Sequence, residues 1–190
     1  AFKPEPFYII QLQTGGCRAA SERFKEKAQA EKLLAECRKS SQALVQKSER
    51  KEKSERPPAL YDLTTLQRDA NRLLGYSAQQ TLDYTQSLYE KKLVTYPRTD
   101  SRYLTEDMEP GLPDLVRQTA FHFGVTGEIP IHANQVINSK KVSDHHAILP
   151  TRSMANADLS SLPAGEANVL RLIAARLLAA VGEPYRYAET

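Results

Sequence analysis

The chain has 190 residues, of which 41% are hydrophobic and 26% are charged, as in an ordinary globular protein large enough to bury a core. Lys and Arg exceed Asp and Glu only in residues 1–56, by 13 to 8, whereas residues 57–190 carry 13 against 15. Residues 57–190 therefore do not form a broadly basic surface for nucleic acid. If this part binds a polyanion, it must do so through a few arginines at specific positions.

The cysteines and the most apolar stretch exclude two further classes of protein. Cys17 and Cys37 form no CxxC pair or other zinc-ligand spacing, so we expect a reducing cytoplasmic setting and no structural zinc. Residues 169–181 are the most apolar stretch, but Arg171 and Arg176 interrupt them and they are too short to span a bilayer. We therefore expect no membrane partner.

The first 56 residues predict a small mixed α and β part. Residues 7–13 (FYIIQLQ) are rich in β-forming side chains and end at two glycines, which indicates a strand. Residues 21–39 have the apolar spacing of a helix, and residues 43–48 are a candidate second strand. Residues 50–56 (RKEKSER) are charged, end at two prolines and are predicted to form a flexible connector at a domain boundary.

The remaining chain is predicted to be mainly helical. Gly75 is placed to end one helix, and Ser77 followed by Gln80 forms a capping box that begins the next. Residues 127–141 lack a helical period and indicate a loop with extended pieces. Apolar spacing predicts helices over residues 63–74, 78–91, 112–123 and 164–182, so the fold class is mainly α with a small α+β part. In the second of these helices the same spacing predicts that Leu82, Thr85, Leu88 and Tyr89 face the core.

Residues 93–104 (LVTYPRTDSRYL) concentrate reactive and phosphate-binding groups. Pro97 favours an extended backbone, which puts Tyr96 and Arg98 on one face. A phenol is a poor nucleophile at neutral pH because its pKa is near ~10, and a neighbouring guanidinium both favours phenolate and holds a phosphodiester. The residues alone also allow a packed Tyr96 with Arg98 bridging to Asp100.

Residues 144–152 (DHHAILPTR) form a second polar block. Adjacent side chains of an extended segment point to opposite faces, so either His145 or His146 could face a phosphate while the other packs away. A histidine beside an anion is favoured as imidazolium and can donate a hydrogen bond to it. Packing in a core or at a helix cap remains open for both, whereas zinc binding does not fit because no further ligand has suitable spacing.

These blocks resemble the type IA DNA topoisomerases, in particular the bacterial topoisomerase III branch. The active-site signature of that family is similar to residues 93–104. The resemblance extends to LTTLQRDANRLLG at residues 63–75, SAQQTLDYTQSLY at residues 77–89 and SDHHAILPT at residues 143–151, in the family's order. It covers residues 57–184 well and the first fifty-odd residues loosely.

The resemblance implies that Tyr96 attacks a phosphodiester of single-stranded DNA, forms a 5′-phosphotyrosyl bond and is released by the freed 3′-hydroxyl without ATP. It implies that Arg98 contacts the scissile phosphate and that His145 hydrogen-bonds it, with His146 as the alternative shifted by one residue. Tyr103 is the other candidate nucleophile. The expected DNA contacts are Thr99, Asp100, Ser101, Arg102, His146, Thr151 and Arg152. We expect Thr99, Asp100 and Ser101 to position the site and not to take part in bond making.

The resemblance also predicts the domain organisation. Residues 1–56 would belong to the arch (gate) domain and residues 57–186 to the helical active-site domain, with the TOPRIM and C-terminal ring-closing regions outside this chain. Mg²⁺ would be held by the TOPRIM domain, so we expect no metal ligand or bound metal here and no activity from the chain alone. Expected partners are single-stranded DNA and the rest of the topoisomerase, in a bacterial, nucleoid-associated cytoplasmic setting. A non-catalytic single-stranded-DNA-binding module and a purely structural domain are the alternatives.

Overall fold

The computed structural model describes residues 3–190. The chain divides into two compact units, one of residues 3–50 with Thr190 and the other of residues 51–189. None of the helices in the described part of the chain is long and apolar enough to cross a membrane.

The first unit contains a β-hairpin and one helix. Strands β1 (Gln11–Thr14) and β2 (Cys17–Ala20) pair antiparallel, and the turn uses Gly15 and Gly16 at φ 48° and 88°, values that favour glycine. The strand predicted at residues 7–13 is therefore confirmed only in its second half. Helix α1 (Lys27–Cys37) is shorter than predicted. The strand predicted at residues 43–48 is wrong, because that segment is exposed and forms no regular structure.

The second unit is built from four helices at nearly the predicted positions. They are α2 (Leu63–Leu74), α3 (Ala78–Glu90), α4 (Leu112–His122) and α5 (Ala164–Val181). Gly75 ends α2 in the left-handed conformation, and Ser77 with Gln80 forms the predicted capping box at the start of α3. Residues 105–162 outside α4 contain short 3₁₀ turns instead of strands. The predicted fold class, mainly α with a small β-containing part, is confirmed.

Helix α5 lies at the centre of the second unit. Its second half packs with α4 in one buried apolar cluster, and its first half packs with α2 and α3 in another. Burying each large aliphatic side chain contributes about 1.5–3 kcal/mol. The large aliphatic side chains of α5 that are almost fully buried are Val169, Leu170, Ile173, Leu177 and Val181.

A polar network also joins α2 to α5. The guanidinium of Arg176 lies 4.2 Å from the ring centre of Tyr61 and pairs with the carboxylate of Asp69, which accepts a 2.8 Å hydrogen bond from the Tyr61 hydroxyl. Burial acts to raise the pKa of Asp69, but the hydrogen bonds from Tyr61 and Arg72 and the charge of Arg176 outweigh burial and hold the pKa below its ordinary value. The ionised carboxylate therefore stabilises the contact between α2 and α5.

A two-stranded ribbon contains both ends of the second unit. Strand β3 (Lys51–Glu55) pairs antiparallel with β4 (Tyr185–Glu189), with Lys51 opposite Glu189. The flexible connector predicted at residues 50–56 is therefore wrong, since most of it is a paired strand. The compact units divide between Arg50 and Lys51. The assignment of residues 1–56 and 57–186 to arch and active-site domains stays a prediction.

Candidate active site

The two polar blocks of the sequence lie side by side in the second unit. The N–H of Thr95 donates to the carbonyl of Leu149 at 2.9 Å, and the N–H of Leu149 donates to the Thr95 hydroxyl at 2.9 Å. The N–H of Thr151 donates to the carbonyl of Leu93 at 2.9 Å. These bonds fix residues 93–95 against residues 147–151 and bring the predicted nucleophile to the histidine block.

Buried hydroxyl groups continue this attachment after Pro97. The Thr99 hydroxyl donates to the carbonyl of His145 at 2.9 Å and accepts a 3.1 Å bond from the N–H of Ser101. The Ser101 hydroxyl lies 3.0 Å from the carbonyl of Lys141, to which it donates. Thr99 and Ser101 are only 7% and 4% exposed. Their hydroxyls bind backbone groups of this site, an arrangement suited to positioning.

Tyr96 is half-buried, and its ring contacts two other rings. The ring centres of Tyr96 and His145 are 4.4 Å apart with the planes tilted by 46°. The ring of Tyr89, in the last turn of α3, lies 5.5 Å from that of Tyr96 in an edge-on arrangement at 77°. The expectation that Tyr89 faces the core is wrong, because its side chain is 39% exposed and packs on Tyr96.

Arg98 and His145 line a cavity of about 430 Å³ beside the start of α2. Arg98 is exposed and, within residues 3–190, forms no hydrogen bond or ion pair, so the proposed bridge to Asp100 is not observed. Asp100 instead accepts a 3.3 Å hydrogen bond from Ser143. The guanidinium is thus available to an anion entering the cavity. The other lining residues are Asp62, Leu63, Thr64, Thr99, Asp100, Ser143 and Asp144.

The two adjacent histidines have different environments. His145 is exposed, lines the cavity with Arg98 and contacts the Tyr96 ring. His146 is half-buried, and its Nδ1 lies 2.8 Å from the carbonyl oxygen of Ala147. This geometry supports His145 as the phosphate-facing histidine, although its role remains a prediction.

Five of the seven predicted DNA contacts do not line this cavity: Ser101, Arg102, His146, Thr151 and Arg152. Nε of Arg102 donates to the carbonyl of Leu60 at 3.3 Å. The Thr151 hydroxyl donates to the carbonyl of Lys92. Thr151 and Arg152 line a different cavity of about 400 Å³, next to Gly111. The structure therefore gathers Arg98, Thr99, Asp100 and His145 around one cavity, whose lining does not include Tyr96, Ser101, Arg102, His146, Thr151 or Arg152.

Tyr103, the other candidate nucleophile, lies beside a lysine. The Nζ of Lys141 is 4.8 Å from the Tyr103 ring centre and donates to its hydroxyl at 3.3 Å. Tyr103 does not line the cavity of Arg98 and His145. Tyr96 does not line it either, but the Tyr96 ring contacts the cavity residue His145, and this contact favours Tyr96 over Tyr103 as the nucleophile.

Three acidic residues lie around the cavity. Asp62, Asp100 and Asp144 all contribute to its lining. Within the described residues, however, no three His, Cys, Asp or Glu side chains gather closely enough to hold a metal.

Comparison with known proteins identifies the family. A family model described as DNA topoisomerase matches residues 1–190. The chain is 38% identical to DNA topoisomerase 3 of Bacillus licheniformis over 202 residues and 39% identical to that of Bacillus subtilis over 203 residues. Each match covers all of this chain but only 28% of the relative.

A solved structure of a topoisomerase is also similar to this chain. Full-length topoisomerase I from Thermotoga maritima matches 96% of this chain and 30% of its own, with a TM-score of 0.69 and 25% sequence identity. The chain thus spans less than a third of the proteins it matches. From the family match over all residues and these similarities, the chain belongs to the type IA DNA topoisomerase family, in its bacterial topoisomerase III branch.

Proposed function

We propose that this chain carries the nucleophile of a DNA topoisomerase that cleaves single-stranded DNA transiently, passes a strand through the break and rejoins it without ATP. Relaxation and decatenation of DNA are the reactions that such a cycle performs. The observation that carries the proposal is the contact of the Tyr96 ring with His145, at a cavity where Arg98 has no described protein partner.

In the proposed cleavage step, the Tyr96 phenol oxygen attacks the phosphorus of a backbone phosphodiester. The bond between phosphorus and the 3′-oxygen breaks, the phenol loses its proton, and the 3′-oxygen is protonated to a hydroxyl. The 5′-phosphate stays bonded to Tyr96. One phosphoester replaces another, so the 3′-hydroxyl can reverse the step and no ATP is consumed.

Arg98 and His145 act on the phosphate in this proposal. The Arg98 guanidinium can form two parallel hydrogen bonds to phosphate oxygens and offset their charge. His145 donates a hydrogen bond to the same group, which stabilises the charge that develops during attack. The Thr99 hydroxyl supports this geometry because it holds the His145 backbone at 2.9 Å.

Other parts of the enzyme complete the proposed cycle. We assign Mg²⁺ binding to a TOPRIM domain outside this chain, as the family resemblance implies. No step of the proposed cleavage uses a metal held by this chain. We also assign strand passage to the arch and ring-closing regions. Accordingly, the 190-residue chain with Mg²⁺ should leave supercoiled plasmid unrelaxed, and relaxation by it would contradict this division of labour.

The nucleophile is tested with Tyr96→Phe in the full-length enzyme and Tyr103→Phe as the matched control. A labelled single-stranded oligonucleotide is incubated with each protein and Mg²⁺, and the covalent adduct is trapped with denaturant. Tyr96→Phe should abolish the adduct while leaving DNA affinity and thermal unfolding unchanged, and Tyr103→Phe should retain it. Adduct formation by Tyr96→Phe would refute the assignment.

The same experiment addresses the non-catalytic alternative. A single-stranded-DNA-binding module would bind the oligonucleotide in a salt-dependent way, through phosphate contacts and base stacking. It would form no adduct even with the wild-type sequence. An adduct with wild-type protein therefore excludes that alternative.

A further inference from the structure

Tyr89 is the ring neighbour of Tyr96 to which the proposed chemistry gives no role. It lies in the last turn of α3, seven residues before Tyr96, and the two rings meet edge-on with centres 5.5 Å apart. Such edge-to-face contacts are favoured by the ring quadrupoles and prefer a definite relative orientation. The contact therefore restricts the orientation of the Tyr96 ring.

A constrained turn produces this contact. Lys92, just after α3, has a φ of 60° and is the one residue other than glycine with positive φ in the described part of the chain. Its N–H donates to the carbonyl of Tyr89 at 2.8 Å, and the N–H of Leu93 donates to the carbonyl of Leu88 at 2.9 Å. The Thr151 hydroxyl donates to the Lys92 carbonyl. Unfavourable backbone conformations persist where surrounding contacts determine them, and they cluster at functional sites.

The contact depends on the ring of Tyr89 and not on its hydroxyl. Within residues 3–190 the Tyr89 hydroxyl forms no hydrogen bond. The 39% exposure of the side chain also shows that it is not a main component of the core. A phenylalanine would preserve the edge-on contact, whereas an aliphatic side chain would remove it.

We infer that Tyr89 is a positioning residue for the nucleophile. Its ring, presented by the Lys92 turn, holds the Tyr96 ring in the orientation in which it meets His145 beside the cavity of Arg98. Tyr89 touches neither the phosphate nor the reacting atoms in this role. The inference rests on the proposed function, because it requires Tyr96 to be the nucleophile.

The test compares Tyr89→Leu and Tyr89→Phe in the full-length enzyme. Cleavage of a single-stranded oligonucleotide is measured in single-turnover reactions at saturating DNA, and DNA affinity is measured separately. Tyr89→Leu should slow cleavage about 5- to 10-fold, the size expected from losing one aromatic contact, with affinity unchanged. Tyr89→Phe should restore the rate to within about twofold of wild type.

Matched variants separate this role from a general effect on folding. Phe121→Leu removes another exposed ring, which contacts His122 in α4, and should leave the cleavage rate unchanged. If Tyr89→Leu lowers the melting temperature, Tyr89→Met offers a flexible non-aromatic side chain for the same comparison and should show the same slow cleavage.

Three results would overturn the inference. A wild-type cleavage rate in both Tyr89→Leu and Tyr89→Met would show that the ring contact is dispensable. Equal slowing by Tyr89→Phe would assign the effect to the hydroxyl. Loss of DNA affinity at an unchanged saturated rate would make Tyr89 a base-stacking residue. Failure of the proposed function is a different result, namely adduct formation by Tyr96→Phe.

Discussion

Replacing Thr99 by valine should loosen the attachment between the nucleophile segment and the histidine block. Valine has nearly the shape of threonine but lacks the hydroxyl that donates to His145 and accepts from the N–H of Ser101. The exposed His145 can satisfy its carbonyl with water, whereas Ser101 is only 4% exposed. An unsatisfied buried N–H costs about 1–3 kcal/mol, so Thr99→Val should lower the free energy of unfolding by about 2 kcal/mol.

Thr99→Ser is the matched control because it keeps the hydroxyl and loses one methyl group, a cost of about 1 kcal/mol or less. Urea unfolding of the 190-residue chain can be followed by near-ultraviolet circular dichroism. The chain has nine tyrosines and no tryptophan, and all tyrosines except Tyr8 lie in the second unit, so this signal reports that unit.

The functional effect should follow the same order. In the full-length enzyme, Thr99→Val should slow adduct formation because His145 is less firmly placed, while Thr99→Ser should remain close to wild type. The reasoning is refuted if Thr99→Val is within about 0.5 kcal/mol of wild type, the usual range for an uninvolved surface substitution. It is also refuted if the serine variant loses as much stability as the valine variant.

Three further substitutions test the packing of the second unit by urea or thermal unfolding. Asp69→Asn should cost about 2–3 kcal/mol at pH 7, since it removes a charge paired with Arg176. The folded-state pKa of Asp69 is lowered, so its stabilisation is present above the ordinary carboxyl pKa and lost as pH falls below about 4. A mutational cost independent of pH would contradict this. Gly165→Ala should cost about 1–3 kcal/mol, because the added Cβ would overlap the Tyr84 ring, and unchanged stability would contradict that overlap. Lys92→Gly should stabilise by up to about 1 kcal/mol by relieving the positive φ, and a loss of stability would argue that the lysine is not strained.

The sequence predicts the helices well because the residues that begin and end a helix lie within a few positions of it. The left-handed Gly75 and the capping box of Ser77 and Gln80 both formed where the sequence placed them. Strand β3 carried no such signal, since its five residues are exposed and mostly charged. Its pairing partner β4 lies about 130 residues later, and only the folded helical unit brings the two together.

The site was predictable in its parts but not in its contacts. Polar composition marks the two blocks, and the family resemblance points to Tyr96 and His145 within them, yet their ring contact joins residues far apart in the sequence. Helical spacing assigned Tyr89 to the core, but at the last turn of α3 that face meets the extended site segment instead. Proximity in sequence groups Arg152 with the histidines, whereas a 3₁₀ turn begins at Arg152 and the residue lines another cavity.

The β3–β4 ribbon brings the first and last residues of the second unit next to each other. Lys51 and Glu189 face each other across the ladder, so the incoming and outgoing strands are about 5 Å apart. The 139 residues from 51 to 189 could therefore be inserted at one position of another protein's backbone. Replacing these residues with a tight turn would leave the path of the flanking chain nearly unchanged. The second unit can therefore be removed or transplanted as one piece, and it is also compact by itself.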